Sequence, residues 1–152
     1  MVRNVVLLCL FCVGVGCGVK QPTVQYIGAV VTQSTQDAFT FDVEFEIANK
    51  NDFPLQLLLY NYEVTSGGRT LYTGLASAEK TIPYSLSITN SIPVVIPRQF
   101  VVDQDEISWQ LSGTLGFIPP KAISQTLVDI GIWKPIVSVR AHDVLQVPAI
   151  VE

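Results

Sequence analysis

The sequence predicts an all-β domain, a single antiparallel β-sandwich of about seven strands. The first observation is the run from Phe39 to Ile47, in which apolar residues alternate without a break with Thr, Asp or Glu. This is the period of a strand with one buried face. The same period returns from Ile107 to Phe117. Between such runs Asn, Gly and Pro recur at short intervals, which is typical of a sandwich.

The first half of the domain is expected to be strands joined by turn residues. A strand is expected from Thr23 to Val31, and a polar turn at 32–37 leads into the alternating run. The segment 49–54 ends that run, because Asn and Asp side chains close local turns and Pro54 has no N–H to donate.

The next strand, 55–65, carries apolar residues on both faces, which indicates that both are covered near its start. One face has Leu58, Tyr60, Tyr62 and Val64, and the other has Leu55, Leu57 and Leu59. Gly67 and Gly68 can supply the positive φ angles of a tight hairpin turn, so a partner strand is expected at 71–75.

Prolines mark the second half of the domain. The strand region 81–95 contains Pro83 and Pro93, which places it at the margin of a sheet. The other segments outside the second alternating run are expected to be a loop or single helical turn, a short helix and a final strand, at 97–106, 121–130 and 136–147.

The N-terminus predicts a cleaved secretory signal peptide. Arg3 precedes an uncharged run from Val5 to Val15, which is about half of the roughly 20 residues that a membrane-spanning helix needs. The stretch Gly14–Cys17 resembles a bacterial lipobox, in which a cysteine is acylated and becomes the new N-terminus. Gly14 stands where that pattern usually has a large aliphatic residue. We expect lipidation of Cys17, with ordinary cleavage after a small residue as the alternative.

The chain is therefore divided into a signal peptide at 1–16, a tether at 17–22 and one domain at 23–152. A lipid on Cys17 predicts an exported protein of the bacterial envelope whose partner is a membrane, since acyl chains contribute about 0.8 kcal/mol per buried methylene. Gly18 stands in place of the aspartate associated with inner-membrane retention, which favours the outer membrane.

Composition argues against several classes of function. Cys9 and Cys12 leave with the signal peptide, so no disulfide, thiol nucleophile or cysteine metal site is expected. The formal net charge is −4 and the basic residues are scattered singly. Nucleic-acid binding and polybasic membrane contact both need clustered positive charge, so we expect neither.

The candidates for chemistry are few, and we predict no catalytic residue, metal site or cofactor. His142 is the only histidine, and its surroundings lack the G-x-S-x-G turn of a hydrolase. The acids of the alternating strand are expected to be its solvated face rather than a carboxylate pair: Asp42, Glu44 and Glu46. A second acidic group lacks the glycine and ligand spacing of an EF-hand: Asp103, Asp105 and Glu106.

The turn after the alternating strand carries a family resemblance. The run from Phe41 to Leu55 ends a strand in Asn-x-Asn, followed by Phe, Pro and Leu. It resembles the water-stress-and-hypersensitive-response (WHy) domain of group 2 late embryogenesis abundant proteins, whose signature is Asn-Pro-Asn, then an apolar residue, Pro and Leu. Lys50 replaces the middle proline. The residues that match are Asn49, Asn51, Pro54 and Leu55.

The resemblance implies a fibronectin-like sandwich without catalytic residues, associated with protection during desiccation and other stress. Bacterial members are often exported or lipid-anchored, so we expect a non-enzymatic, lipid-anchored envelope protein. The alternative is an envelope lipoprotein that acts as a ligand-binding or assembly module, through exposed edge strands or through an aromatic set that core packing would explain equally well: Tyr60, Tyr62, Trp109 and Phe117.

Overall fold

The computed structural model describes residues 18–119 and 122–150, which form two packed antiparallel sheets. The elements are β1 (Thr23–Ser34), β2 (Ala38–Ala48), β3 (Leu55–Ser66), β4 (Arg69–Ser77), β5 (Thr81–Ile82), β6 (Ser87–Pro97), a 3-10 helix (Arg98–Phe100), β7 (Glu106–Ile118), α1 (Ala122–Asp129) and β8 (Ile136–Gln146). The predicted all-β sandwich is confirmed. The described residues contain eight strands instead of seven, because the region predicted as one strand at 81–95 is divided into β5 and β6. The predicted signal peptide and Cys17 lie outside the described residues.

The sheets have three and five strands across the described residues. One has the order β1-β2-β6, and the other has the order β4-β3-β7-β8, with β5 paired to the start of β3. β6 is an edge strand, which confirms the predicted sheet margin. Its Pro93 lies opposite Asp42 of β2, and a proline is tolerated there because one side of an edge strand needs no ladder hydrogen bond.

The apolar face of β2 forms the centre of the core, as predicted. Its alternating side chains all have no exposed surface: Phe39, Phe41, Val43, Phe45 and Ile47. They pack between the sheets, where the ring of Phe41 lies 5.2 Å from that of Trp109 on β7, centroid to centroid. The apolar face of β2 is therefore covered by the opposite sheet.

The predicted faces of β3 are wrong at its start. The register with β7 shifts between Leu57 and Tyr60, and such a bulge reverses the alternation of side chains. Leu55 and Leu57 are therefore buried in the same core as Tyr60, while Leu59 is 53% exposed. Leu58, predicted on the same face as Tyr60, is only partly buried.

The predicted turns and helix are present, with different limits. Gly67 and Gly68 have φ angles of 57° and 78°, as the expected hairpin requires. β1 continues beyond its predicted end, so the turn before β2 shortens, and Thr35 Oγ1 there accepts the N–H of Ala38 at 3.2 Å. α1 lies within the segment predicted as a short helix.

Side-chain hydrogen bonds that involve tyrosines join the two sheets. In each, a residue of the three-stranded sheet is bonded to one of the five-stranded sheet, with tyrosine as the donor in two bonds and as the acceptor in the one from Asn90. The pairs are Tyr62 with the carbonyl of Pro93, Tyr60 with Asn90 and Tyr26 with Asp143.

Candidate functional site

The residues that resemble the WHy signature lie at one end of the sandwich, where β2 and β7 finish and β3, β6 and β8 begin. We call this the motif end; its centre is the turn 49–54, the loop 83–86 and Lys20. Asn49 and Asn51 are only 2% and 5% exposed there. A buried amide must be hydrogen-bonded to be tolerated, so the partners of these side chains explain why they are asparagine.

The side-chain oxygen of Asn49 shapes the turn. Its Oδ1 accepts the backbone N–H of Asn51 at 3.0 Å and Asn51 Nδ2 at 2.9 Å. The first of these bonds is the local Asx turn that lets asparagine reverse the chain after a strand. The direction of the chain between β2 and β3 is thus set by one side chain.

The side-chain nitrogen of Asn49 ties this turn to the segment before β6. Nδ2 lies 2.8 Å from the carbonyl oxygen of Phe53, 3.1 Å from that of Pro83 and 3.3 Å from that of Ile82. The backbone N–H of Asn49 also donates to the carbonyl of Leu86 at 2.8 Å. The loop 83–86 is therefore held at both of its ends.

Asn51 binds the segment that arrives from the N-terminus. The N–H of Lys20 donates to Asn51 Oδ1 at 2.8 Å, and Asn51 Nδ2 donates to the carbonyl of Lys20 at 2.8 Å. Lys20 lies three residues after Cys17, and three residues span at most about 11 Å when fully extended. Asn51 thus attaches the described part of the N-terminal segment to the motif end.

The other two residues that match the signature, Pro54 and Leu55, also have structural roles. Leu55 is fully buried at the start of β3, opposite Ile82 of β5, and Pro54 is half-buried before it. Sequence reasoning found these residues but missed Lys20, because Lys20 takes part only through backbone groups that every residue except proline has in full.

Two exposed apolar side chains stand on the loop 83–86. Tyr84 is 64% exposed and Leu86 is 57% exposed. Ser85 between them has φ of 54°, in the left-handed region, and its N–H donates to the carbonyl of Asn51 at 3.1 Å. The loop thus presents two large apolar side chains on a pinned backbone.

The connection from α1 to β8 brings more exposed apolar side chains to the motif end. Gln21 of the tether donates through Nε2 to the carbonyl of Ile136 at 3.4 Å, which places this connection beside the N-terminal segment. The exposed side chains are Ile130 at 60%, Ile132 at 73% and Ile136 at 50%.

His142 is exposed on β8, opposite Gln110 of β7. The adjacent Asp143 is not oriented by it: Oδ2 accepts the hydroxyl of Tyr26 at 2.7 Å and Oδ1 accepts the N–H of Val144 at 2.8 Å. These two hydrogen bonds, the one from Tyr26 first, lower the pKa of Asp143 because they stabilise its charged form. Asp143 therefore joins two sheets instead of supporting a histidine base.

The acidic candidates lie at the surface. Glu46 is exposed and accepts a hydrogen bond from the hydroxyl of Ser87 at 2.8 Å, while Asp42 and Glu44 are half-buried. Within the described ranges no three His, Cys, Asp or Glu side chains are grouped to hold a metal ion. The loop acids are exposed as well: Asp103, Asp105 and Glu106.

The aromatic set belongs to the core, which decides between the two interpretations that the sequence allowed. All four side chains are at most 3% exposed: Tyr60, Tyr62, Trp109 and Phe117. Burial raises the pKa of Tyr60 to about 12, although the hydrogen bond from Asn90 acts in the opposite direction.

In the part of the chain that the structure describes, no helix has the length and apolar character to cross a membrane.

Comparison with known proteins rests on structure. No protein-family model and no curated protein matches the sequence. A proposed late embryogenesis abundant (LEA) protein, At2g46140.1, superposes with a TM-score of 0.64 and 15% sequence identity, covering 85% of this chain and 72% of that one. The chain shares the fold of that protein.

Other solved structures share this fold. AT1g01470 from Arabidopsis thaliana has a TM-score of 0.57 and 13% identity, covering 89% of this chain and 87% of that one. A protein from Archaeoglobus fulgidus has a TM-score of 0.58 and 10% identity, covering 84% of this chain and all (100%) of that one. These matches extend over most of the β-sandwich.

Proposed function

We propose that this chain is a non-enzymatic, lipid-anchored protein of the bacterial envelope whose WHy-type domain protects against desiccation and related stress. The observation that carries the proposal is the asparagine turn on an LEA-type fold. Asn49 and Asn51 are buried and hydrogen-bonded at the point where the WHy signature ends its strand. The signature residues thus have a structural task in this chain, as the family resemblance implies.

A non-enzymatic role is supported by the tasks of the polar candidates. The amides of Asn49 and Asn51 bond to the protein itself, and both oxygens of Asp143 are engaged by Tyr26 and Val144. A catalytic base or nucleophile needs a partner that orients it toward a substrate, and these groups are oriented toward the fold.

Lipid anchoring is supported by the lipobox-like residues before Cys17 and by the attachment of the tether. Asn51 fixes Lys20 to the domain, so the domain is held close to the membrane that receives the acyl chains. One chain gives only marginal membrane binding, whereas multiple acyl chains hold a protein stably.

The test combines labelling with a survival assay in a deletion strain. Radiolabelled palmitate should enter the wild-type protein and not Cys17→Ser; label in both or in neither contradicts the lipid anchor. The deletion strain should survive drying and osmotic shock poorly. Wild type and His142→Ala should both restore survival, and failure of His142→Ala alone contradicts a non-enzymatic role. Unchanged survival of the deletion strain contradicts the stress role.

A second candidate function is an assembly module, which an apolar patch on the edge strand β4 favours. Leu75 of β4 is 74% exposed and pairs with Asn61 of β3, two residues from the 53% exposed Leu59. An open groove of about 530 Å³ runs beside it, lined by residues that include Leu58 and Ser77. Crosslinking that recovers one stoichiometric envelope partner, lost in Leu75→Asp, supports this function over the first.

A further inference from the structure

Five of the twelve exposed large apolar side chains in the described part of the chain lie at the motif end. Tyr84 and Leu86 stand on one loop there, and Ile130, Ile132 and Ile136 on the neighbouring connection, each at least half exposed. Scattered exposed apolar residues are normal in a soluble protein, but a group at one place marks a surface that contacts a partner or a membrane.

The attachment of the tether favours a membrane over a protein partner at this surface. The backbone of Lys20 is fixed to the side chain of Asn51 by two hydrogen bonds, and the three residues from Cys17 to Lys20 span at most about 11 Å. A lipid on Cys17 would therefore bring the motif end, and not another face of the sandwich, against the bilayer.

The loop 83–86 is built to keep its apolar side chains exposed. The N–H of Ser85 donates to Asn51, and the carbonyls of Pro83 and Leu86 accept hydrogen bonds from Asn49. A backbone fixed in this way does not have to be ordered on binding, which lowers the entropic cost of contact. The same asparagines thus hold both the tether and the exposed loop.

The chemistry of these side chains fits the bilayer interface. Tyrosine combines an apolar ring with a polar hydroxyl and is favoured at the level of the lipid headgroups, and the isoleucines can enter the outer acyl region. The exposed charges at this end are of both signs: Lys20, Lys50, Lys134, Asp52 and Asp129. Binding therefore depends on apolar contact more than on anionic lipid.

We propose that the motif end is a membrane-docking surface, in which Tyr84, Leu86 and Ile132 insert into the headgroup region of the bilayer that carries the lipid on Cys17. The inference rests on the proposed lipid anchor and adds an orientation to it. The motif end faces the membrane, and the opposite end of the sandwich, which carries the loop after the 3-10 helix, points away.

Quenching of tryptophan emission by brominated lipid tests this orientation. The full chain is purified from bacterial membranes and reconstituted into phosphatidylcholine vesicles whose acyl chains carry bromine near the headgroup, always in a Trp133→Phe background. Tyr84→Trp places the probe at the motif end. Val102→Trp is the matched control, because Val102 is 63% exposed, as Tyr84 is at 64%, but lies at the opposite end. Buried Trp109 is common to both variants.

The indole of Tyr84→Trp should lose emission in brominated vesicles, and that of Val102→Trp should not. Equal quenching of the two, or no quenching of Tyr84→Trp, overturns the docking surface. Flotation with the vesicles and the palmitate label report the anchor separately. A labelled, floating protein without quenching refutes the docking while the anchor stands, and quenching without label supports docking while refuting the anchor.

Discussion

Asn51 holds Lys20 through both of that residue's backbone groups, accepting its N–H and donating to its carbonyl, each at 2.8 Å. This is the pairing that a neighbouring strand would supply, made here by one side chain. The tether is consequently attached to the domain before β1 begins. A change at position 51 should therefore affect the N-terminal segment more than the sandwich itself.

Asn51→Ala should release the tether. The change removes partners from Lys20 and from Asn49, and loss of buried hydrogen-bond partners costs about 1–3 kcal/mol. The amide of Lys20 should lose its protection in hydrogen exchange, while amides at the centre of β2 stay protected. Hydrogen exchange followed by mass spectrometry of the peptide that contains Lys20 measures this effect.

Asn61→Ala is the matched control for Asn51→Ala. Asn61 is an exposed asparagine of β3, and exposed positions usually change stability by less than about 0.5 kcal/mol. Protection of Lys20 that survives Asn51→Ala, or is lost equally in Asn61→Ala, would show that the two hydrogen bonds do not hold the tether.

Phe45→Ala should destabilise the fold severely. Phe45 has no exposed surface and lies on the central face of β2, and truncation of a buried phenylalanine costs about 3–5 kcal/mol because it leaves a cavity. Leu75→Ala, at a position that is 74% exposed, should change little. Urea unfolding of both variants measures the difference, and equal free energies of unfolding would contradict the assignment of the core face.

The sequence predicts local features of this fold well, because a period of two or a turn residue acts within a few positions. The alternation from Phe39 to Ile47 is uninterrupted, so its buried face could be assigned. The faces at Leu58 and Leu59 could not, because the bulge there depends on pairing with β7, whose residue Phe117 lies opposite Leu57. Strand pairing over such a distance leaves no local pattern.

At the candidate site, too, the sequence predicts local turn residues but not contacts between distant parts of the chain. Asn49, Asn51 and Pro54 are visible because turn chemistry selects them. Lys20 could not be predicted from the sequence, because it bonds to Asn51 through its backbone and not through its side chain. Tyr84 and Leu86 are of residue types that are common in protein cores, and only the structure shows that they are exposed.

Gly113→Ala should test the contact between β3 and β7. A Cβ at Gly113 would collide with the carbonyl oxygen of Asn61 and lie 2.8 Å from Tyr62 Cβ, so the strands would have to separate. Overpacking of this kind costs about 1–3 kcal/mol. Gly28→Ala is the control, because a Cβ at Gly28 meets nothing within 4 Å. Thermal unfolding should show a lower midpoint for Gly113→Ala only; equal midpoints would contradict the close approach.

Alkaline pH should destabilise the protein through its buried tyrosines. The pKa of Tyr60 is raised from 10.0 to about 12, mainly because burial disfavours the phenolate. A raised pKa in the folded state means that the contribution of this residue is complete below pH 10 and is lost as the pH rises toward about 12, since the unfolded chain gives up the proton first. Burial raises the pKa of Tyr26 and Tyr62 as well.

Urea unfolding at a series of pH values should give a free energy of unfolding that falls between about pH 10 and about pH 12. Tyr60→Phe should make this fall shallower, whatever its stability at neutral pH. If the free energy of unfolding of Tyr60→Phe fell with pH as steeply as that of wild type, the hydroxyl of Tyr60 would ionise as easily in the folded protein as in the unfolded chain.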